Sequence, residues 1–240
     1  PNVGPFIAIR LIQRLTTSNP SPAYVRRVAE VFNNNGAGVR GDLGAVVRAI
    51  LLDAEARPSA ADEAHGKLKE PLLRLTQLYR AFNATAANGS YRRLAGVSAI
   101  FGQGPLQSPS VFNFFSPFYA PPGEIRNAGL VAPELEIATE YQNTFITNYM
   151  LVQTFGLNQA NPDLRQNDVY IDIQEEMDVA ANIEALIDLV AGKLLGGRIS
   201  DTLRTEIAGM LELLPETDPA LRAAEAIYLI ATSPEYAYQR

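Results

Sequence analysis

The stretch SPAYVRRVAEVFNNNG, residues 21–36, carries a complete helix with both of its ends. Ser21 is a residue type whose hydroxyl caps a helix N-terminus, and Pro22 suits the first helical position, where the N–H would have no partner in any case. Val25, Val28, Ala29 and Phe32 then recur at helical spacing and define one apolar face. Asn33-Asn34-Asn35-Gly36 ends the helix, because Asn and Gly accept the backbone conformations found past a helix C-terminus. The same punctuation repeats outward in both directions. Upstream, Pro5 leads into Phe6, Ile9, Ile12 and Leu15. Downstream, Asp42 caps a face of Leu43, Val46, Val47, Ile50 and Leu51, and Pro71 opens a helix with Leu72, Leu75, Leu78, Tyr79 and Phe82 inward. Pro133 starts a long helix to about Phe155. Asp178 can cap a helix carrying Ile183, Leu186, Ile187, Val190 and Leu194, stopped by Gly196-Gly197. Ser200, Asp218-Pro219 and Ser233-Pro234 start the last three. Val169 to Ile173 is the one strand candidate, without an obvious partner. The expected fold is therefore all-α. It is read as a multi-helix orthogonal bundle in a single domain over 1–240, with the polar connection at 157–168 as the place for a sub-boundary.

Bulk composition narrows the function. Of 240 residues, 47% are apolar and 19% charged, as in a globular protein large enough to bury its own core. A net charge of −6 argues against nucleic acid, which calls for a basic stripe, and gives no support for an anionic membrane surface. The absence of cysteine removes disulfides, iron–sulfur clusters and thiolate zinc sites. No apolar run reaches the roughly 18–20 residues of a membrane helix. The chain begins without Met and in mid-helix, which reads as part of a longer protein, with a removed leader as the alternative.

One segment breaks the helical pattern. GQGPLQSPSVFNFFSPFYAPPG, residues 102–123, holds five prolines and five aromatics with no period. Long irregular loops are uncommon in compact domains, and disordered segments lack aromatics, so an ordered loop that forms a surface is expected. Gln103, Gln107, Ser108, Ser110 and Asn113 are its polar side chains, and Phe112, Phe114, Phe115, Phe118 and Tyr119 can stack on a sugar ring or on a partner's side chains. The competing reading is a loop that fills its own interior and plugs one end of the helical core.

Catalytic signatures are sparse. His65 is the single histidine, set in the polar tract Arg57–Lys69 and expected to be solvated, so no two-histidine zinc motif exists. Glu134, Glu136 and Glu140 follow the loop; Glu136 and Glu140, four apart, would share a helix face and could divide the roles of acid and base. A solvated face, or charges at a helix start that favour its dipole, is the simpler account. Asp163, Asn167, Asp168, Asp172, Glu175, Glu176 and Asp178 offer oxygens but lack the spacing of a calcium loop. Glu70 and Arg74 are placed for a helical ion pair. No G-x-S-x-G, P-loop or dinucleotide fingerprint is present, and no metal or cofactor is expected. A faint internal echo links Ala49–Asp53 and Glu55 with Ala226–Leu229, Ser233 and Glu235; ordinary helix punctuation is its alternative.

Several blocks together resemble a large bacterial family, domain of unknown function 1800. They are Asn2–Ile7, Leu11–Leu15, Ser18–Val25, Val47–Leu51, Lys69–Pro71, Gly197-Arg198, Ile227–Ile230 and Ser233–Tyr236, and most specifically Gly102–Pro117. The resemblance implies that the chain is the C-terminal half of a longer protein; it also implies export, hence an extracytoplasmic protein, and a partner of sulfatase- or phosphatase-like type from a neighbouring gene, domain of unknown function 1501. It implies no agreed reaction and no catalytic residues. The sequence therefore favours a non-catalytic binding or assembly module with the aromatic loop as contact surface, in which a homo-oligomer is one arrangement. The alternative is part of a hydrolase acting on extracellular polysaccharide or another polymer.

Overall fold

The computed structural model describes residues 2–57, 65–86, 88–89, 91, 98–111, 113–155 and 169–239. Its elements, in chain order, are α1 (Val3–Leu15), α2 (Pro22–Asn33), α3 (Leu43–Leu52), β1 (Lys67–Leu68), α4 (Pro71–Ala81), β2 (Thr85–Ala86), α5 (Ser98–Phe101) and α6 (Glu124–Asn127). There follow α7 (Glu140–Phe155), β3 (Val169–Tyr170), α8 (Gln174–Val179), α9 (Ile183–Leu195), α10 (Asp201–Glu212), α11 (Pro219–Thr232), α12 (Pro234–Ala237) and β4 (Tyr238–Gln239). The fold is all-α; among the described residues the strands are two residues long and antiparallel, β1 on β4 and β2 on β3.

The chain forms two compact units. The first comprises residues 1–68, 115–136 and 238–240, the second 69–114 and 137–237. In the first, α1, α2 and α3 close on a core of Ala8, Ile12, Tyr24, Val28, Ala29, Phe32, Val46 and Ile50. In the second, a larger core gathers Leu75 and Leu78 of α4, Phe101 of α5, Met150 of α7 and the inner faces of α9, α10 and α11.

The internal echo corresponds to one device built twice. Ser21 caps α2 by accepting from the Tyr24 N–H at 3.1 Å, while its own N–H and hydroxyl donate to the two carboxylate oxygens of Glu55 at 2.8 and 2.7 Å. Ser200 caps α10 by accepting from the Leu203 N–H at 3.1 Å, and its N–H and hydroxyl donate to the two oxygens of Glu235. The inward residues stand at the same steps from each serine: Tyr24, Val28, Ala29 and Phe32 in α2, Leu203, Ile207, Ala208 and Leu211 in α10. Each helix is followed by one with an aspartate cap, Asp42 or Asp218, and then by the clamping glutamate. Glu55→Ala and Glu235→Ala should each lower stability by about 1–2 kcal/mol, the scale of a charge-assisted bond to a helix start. Urea midpoints unchanged from wild type would show that the clamps contribute nothing.

Local structure differs from the sequence reading in four places. The helix expected from Pro133 is a 3-10 turn, Pro133–Glu136, and α7 begins only at Glu140. Glu134, within that turn, is buried. The strand candidate finds a partner, with Val169 opposite Ala86 and Tyr170 opposite Thr85. Asn182, not Asp178, caps α9; Asp178 lies in α8 and accepts from Gln174. His65 is buried rather than solvated, and Gly66 and Lys67 beside it are buried too.

Candidate functional site

The aromatic loop is divided between the two units, so its halves are described separately. In the second unit, Gly102 takes a left-handed φ of +65° and turns the chain out of α5. Gln103 is buried and structural. Its amide donates to Glu70 at 2.6 Å, and its carbonyl oxygen accepts from the Leu72 N–H at the start of α4. Glu70 thus serves Gln103 rather than the expected pair with Arg74. Residues 105–111 are exposed, including Gln107 and Ser110, and Leu106 and Val111 stand wholly in solvent. Asn113 adopts φ +72°, with its amide nitrogen buried and without a hydrogen-bond partner, and Phe114 is half-buried. Phe112 lies outside the described residues, as do the 157–168 connection and Asp163, Asn167 and Asp168.

The other half, in the first unit, is tied to α1 and the turn after it. The Gln13 amide donates to the carbonyls of Pro117 and Ser18, both at 3.2 Å. Asn19 and the Val131 backbone exchange two bonds of 2.9 Å. Within the segment, the Ala132 N–H reaches Tyr119 O at 2.9 Å and the Arg126 guanidinium holds Ala120 O. Glu136 accepts from the Ser116 N–H at 2.5 Å.

These ties hold aromatic rings at the surface. The Arg10 guanidinium carbon sits 4.4 Å from the centre of the Phe118 ring and 5.6 Å from that of Phe6. Phe118 is 69% exposed and Phe6 56%. Arg14 covers Phe115 at 5.4 Å, and Arg10 is further fixed by a 2.8 Å bond to Gln13. Phe115 and Tyr119 are half-buried. The half-loop is neither a plug nor a free coil: its backbone is bonded down while its rings and two arginines face outward. Such a face can stack on planar or apolar groups and pair with acids. Glu136 and Glu140 are both exposed, and no single helix carries them. Glu136 closes the 3-10 turn of the first unit and Glu140 opens α7 in the second.

Beneath this surface is a buried ion pair that sequence reading missed. Lys67 Nζ lies 2.9 Å from Glu134, each side chain 2% exposed, and it also donates to the carbonyls of Gln13 and Arg14 at 3.1 Å. Those carbonyls end α1, where no intrahelical donor remains. The second Glu134 oxygen is buried without a partner. Lys67 lay in a tract read as exposed loop, and Glu134 read as a solvated helix start; the β1–β4 pairing and the bonds of Gly66 to Thr17 and Ser18 hold the Lys67 segment in place.

In the second unit, Lys69 Nζ stands 4.3 Å over the Tyr236 ring and donates to Gln77 at 2.8 Å. Burial, with help from the like charges of Arg74 and Arg198, pulls the Lys69 amine down to about 8 from an ordinary 10.5. Burial drives the Tyr236 phenol well above its ordinary 10.0. A depressed lysine contributes stability that is present above its unfolded value and lost as pH falls through its folded one. A raised tyrosine contributes stability that is lost as pH rises past its unfolded value. The stability of the chain should therefore climb from pH 8 toward 10 and fall beyond it. Urea unfolding across that range checks this: Lys69→Met should flatten the climb and Tyr236→Phe the fall.

Among the described residues no group of three or more His, Asp or Glu is placed to hold a metal ion, and no helix is long and apolar enough to cross a membrane. What fold and surface define together is an all-α protein presenting a preformed face of aromatic rings and arginines. The chain belongs to the family described as "Protein of unknown function (DUF1800)", whose profile matches residues 1–238. Comparison with curated proteins finds no match, and comparison with solved structures finds none.

Proposed function

We propose that this chain is a non-catalytic binding or assembly module of an exported bacterial protein, and that Phe115, Phe118 and Tyr119 with Arg10 and Arg14 form its contact surface. One observation carries the reading: Phe118 is 69% exposed yet pinned over Arg10 on a backbone bonded to Gln13 and Asn19. A single exposed ring is ordinary, but Phe118 and Phe6 flank one arginine, and exposed apolar side chains gathered into a patch mark interaction sites. Aromatic residues and arginine are also the side chains that dominate binding energy at interfaces. The partner favoured is the sulfatase- or phosphatase-like protein that the family resemblance implies, outside the cytoplasm.

The test is direct titration of the purified chain with that neighbouring protein. Phe118→Ala and Arg10→Ala should each weaken binding by about tenfold or more, the range of hot-spot truncations, with urea midpoints near wild type. Undiminished binding by both variants would remove this surface from the interface. Self-association lost in Phe118→Ala would make a second copy the partner. Cleavage of an extracellular polysaccharide by the pure chain, abolished in Glu136→Gln and Glu140→Gln, would replace the reading with the hydrolase.

A further inference from the structure

Among the described residues, the buried and half-buried cations are matched with acceptors, with one exception. In the second unit Lys193 pairs with Glu175 and Glu176, and Arg222, 7% exposed, uses all three guanidinium nitrogens on the carbonyls of Leu214 and Ala180. Arg74 differs. It is 8% exposed, and its one side-chain hydrogen bond among the described residues runs from Nε to the Lys69 carbonyl at 3.3 Å. The two terminal nitrogens of its fork have no acceptor among those residues. Lys69, on the same turn, has Gln77 and the face of Tyr236 as its neighbours. Among the described residues neither cation has a carboxylate within 4.0 Å. Glu70, the acid closest in sequence, gives a carboxylate oxygen to Gln103 instead.

A buried arginine and a half-buried lysine without a counter-charge are costly to the fold. A planar fork with both ends idle matches two oxygens of one anion, and the Lys69 ammonium, within electrostatic reach of Arg74, supplies a third donor. Arg74 and Lys69 are also rigidly set. The Tyr236 hydroxyl, fully buried, donates to the Arg74 carbonyl at 2.5 Å, and the Lys69 N–H donates to Ala237 O at 2.8 Å. We infer that Arg74 and Lys69, backed by the ring of Tyr236, form a binding site for a phosphate- or sulfate-type oxyanion. Two cations match the charge of such a dianion, whereas a carboxylate would leave one of them unneutralised. Burial first, and then the like charge of Arg74, lower the affinity of the Lys69 amine for its proton, which accords with two cations set together without a carboxylate between them. The site lies wholly in the second unit and does not depend on the contact surface proposed above.

The test uses the full chain in low-salt buffer, titrated with sodium sulfate or sodium phosphate, against sodium chloride at equal ionic strength. One readout is the rate at which an acylating reagent modifies Lys69, followed by mass spectrometry; the other is the melting temperature. Sulfate or phosphate should slow Lys69 modification severalfold and saturably, and raise the melting temperature by mass action. Arg74→Gln should weaken the apparent affinity about tenfold. Lys69→Gln, read by melting temperature alone, should do the same and serves if Arg74→Gln does not fold. Equal effects of sulfate, phosphate and chloride, or saturation unchanged in the folded variants, would overturn the site. A sulfated or phosphorylated monosaccharide binding more tightly than the free anion would assign the oxyanion to a carbohydrate, and weaker binding to an inorganic ion.

Discussion

Lys67→Met is expected to destabilise the chain by about 3–5 kcal/mol, the range for stripping one partner from a buried ion pair. Methionine fills nearly the same space, so the loss is electrostatic rather than a cavity. Three acceptors lose their donor together: Glu134 and the carbonyls of Gln13 and Arg14. Glu134 has no reserve, because its second oxygen is already buried without a partner. Burial keeps water from replacing the ammonium, so the full desolvation penalty applies. The double variant Lys67→Met with Glu134→Leu should recover much of the loss, since a buried pair replaced by apolar groups is often nearly neutral. Equilibrium unfolding in urea measures both. A single variant within about 1 kcal/mol of wild type would show that the pair is solvated in solution, against the account of the half-loop's support.

Gly66→Ala should be comparably severe, about 3 kcal/mol or more, from strain together with a clash. Gly66 has φ +105°, a conformation that L side chains rarely adopt. A Cβ there would lie 2.3 Å from the Gln239 carbonyl oxygen and 3.0 Å from the Tyr238 ring. The obstacle is backbone, so no rotamer relieves it. Moving Gln239 away would open the β1–β4 pairing that brings Lys67 inside, and would disturb the two bonds between Gly66 and Thr17 at 3.1 Å. Gly196→Ala is the control. Gly196 also has positive φ, +63°, but nothing lies near its Cβ position, so only the backbone penalty of about 1 kcal/mol applies. Similar unfolding midpoints for the two variants would mean that the close approach at Gln239 is absent in solution.

The helices were legible because their signals are local. Ser21-Pro22, Asp42, Ser200 and Asp218-Pro219 cap the helices that the sequence places after them, and the family expected from the sequence blocks is the one found. What escaped depends on distant chain. Lys67 is inside because Tyr238 and Gln239 pair with its strand. Val169 and Tyr170 found their partners in Ala86 and Thr85, far back in the chain. The candidate surface was half legible. Its rings could be named from composition, but Arg10 and Arg14 lie on α1, more than a hundred residues away in the chain, and no periodicity links a helix face to a loop at that separation. Gln103 could not be told from a contact residue, because its fate turns on the backbone N–H of Leu72 and the carboxylate of Glu70.

The central claim is that residues 116–132 are bonded to the first unit before any partner arrives. Native-state hydrogen exchange on the free chain reads this amide by amide. The N–H groups of Ser116, Val131 and Ala132, bonded to Glu136, Asn19 and Tyr119, should be protected to an extent approaching that of Thr16, which closes α1 on Ile12. Exchange of those three at the rate of an open peptide, while Thr16 stays protected, would mean that the loop is loose in solution, and the surface built on Phe118 and Arg10 would have no fixed form.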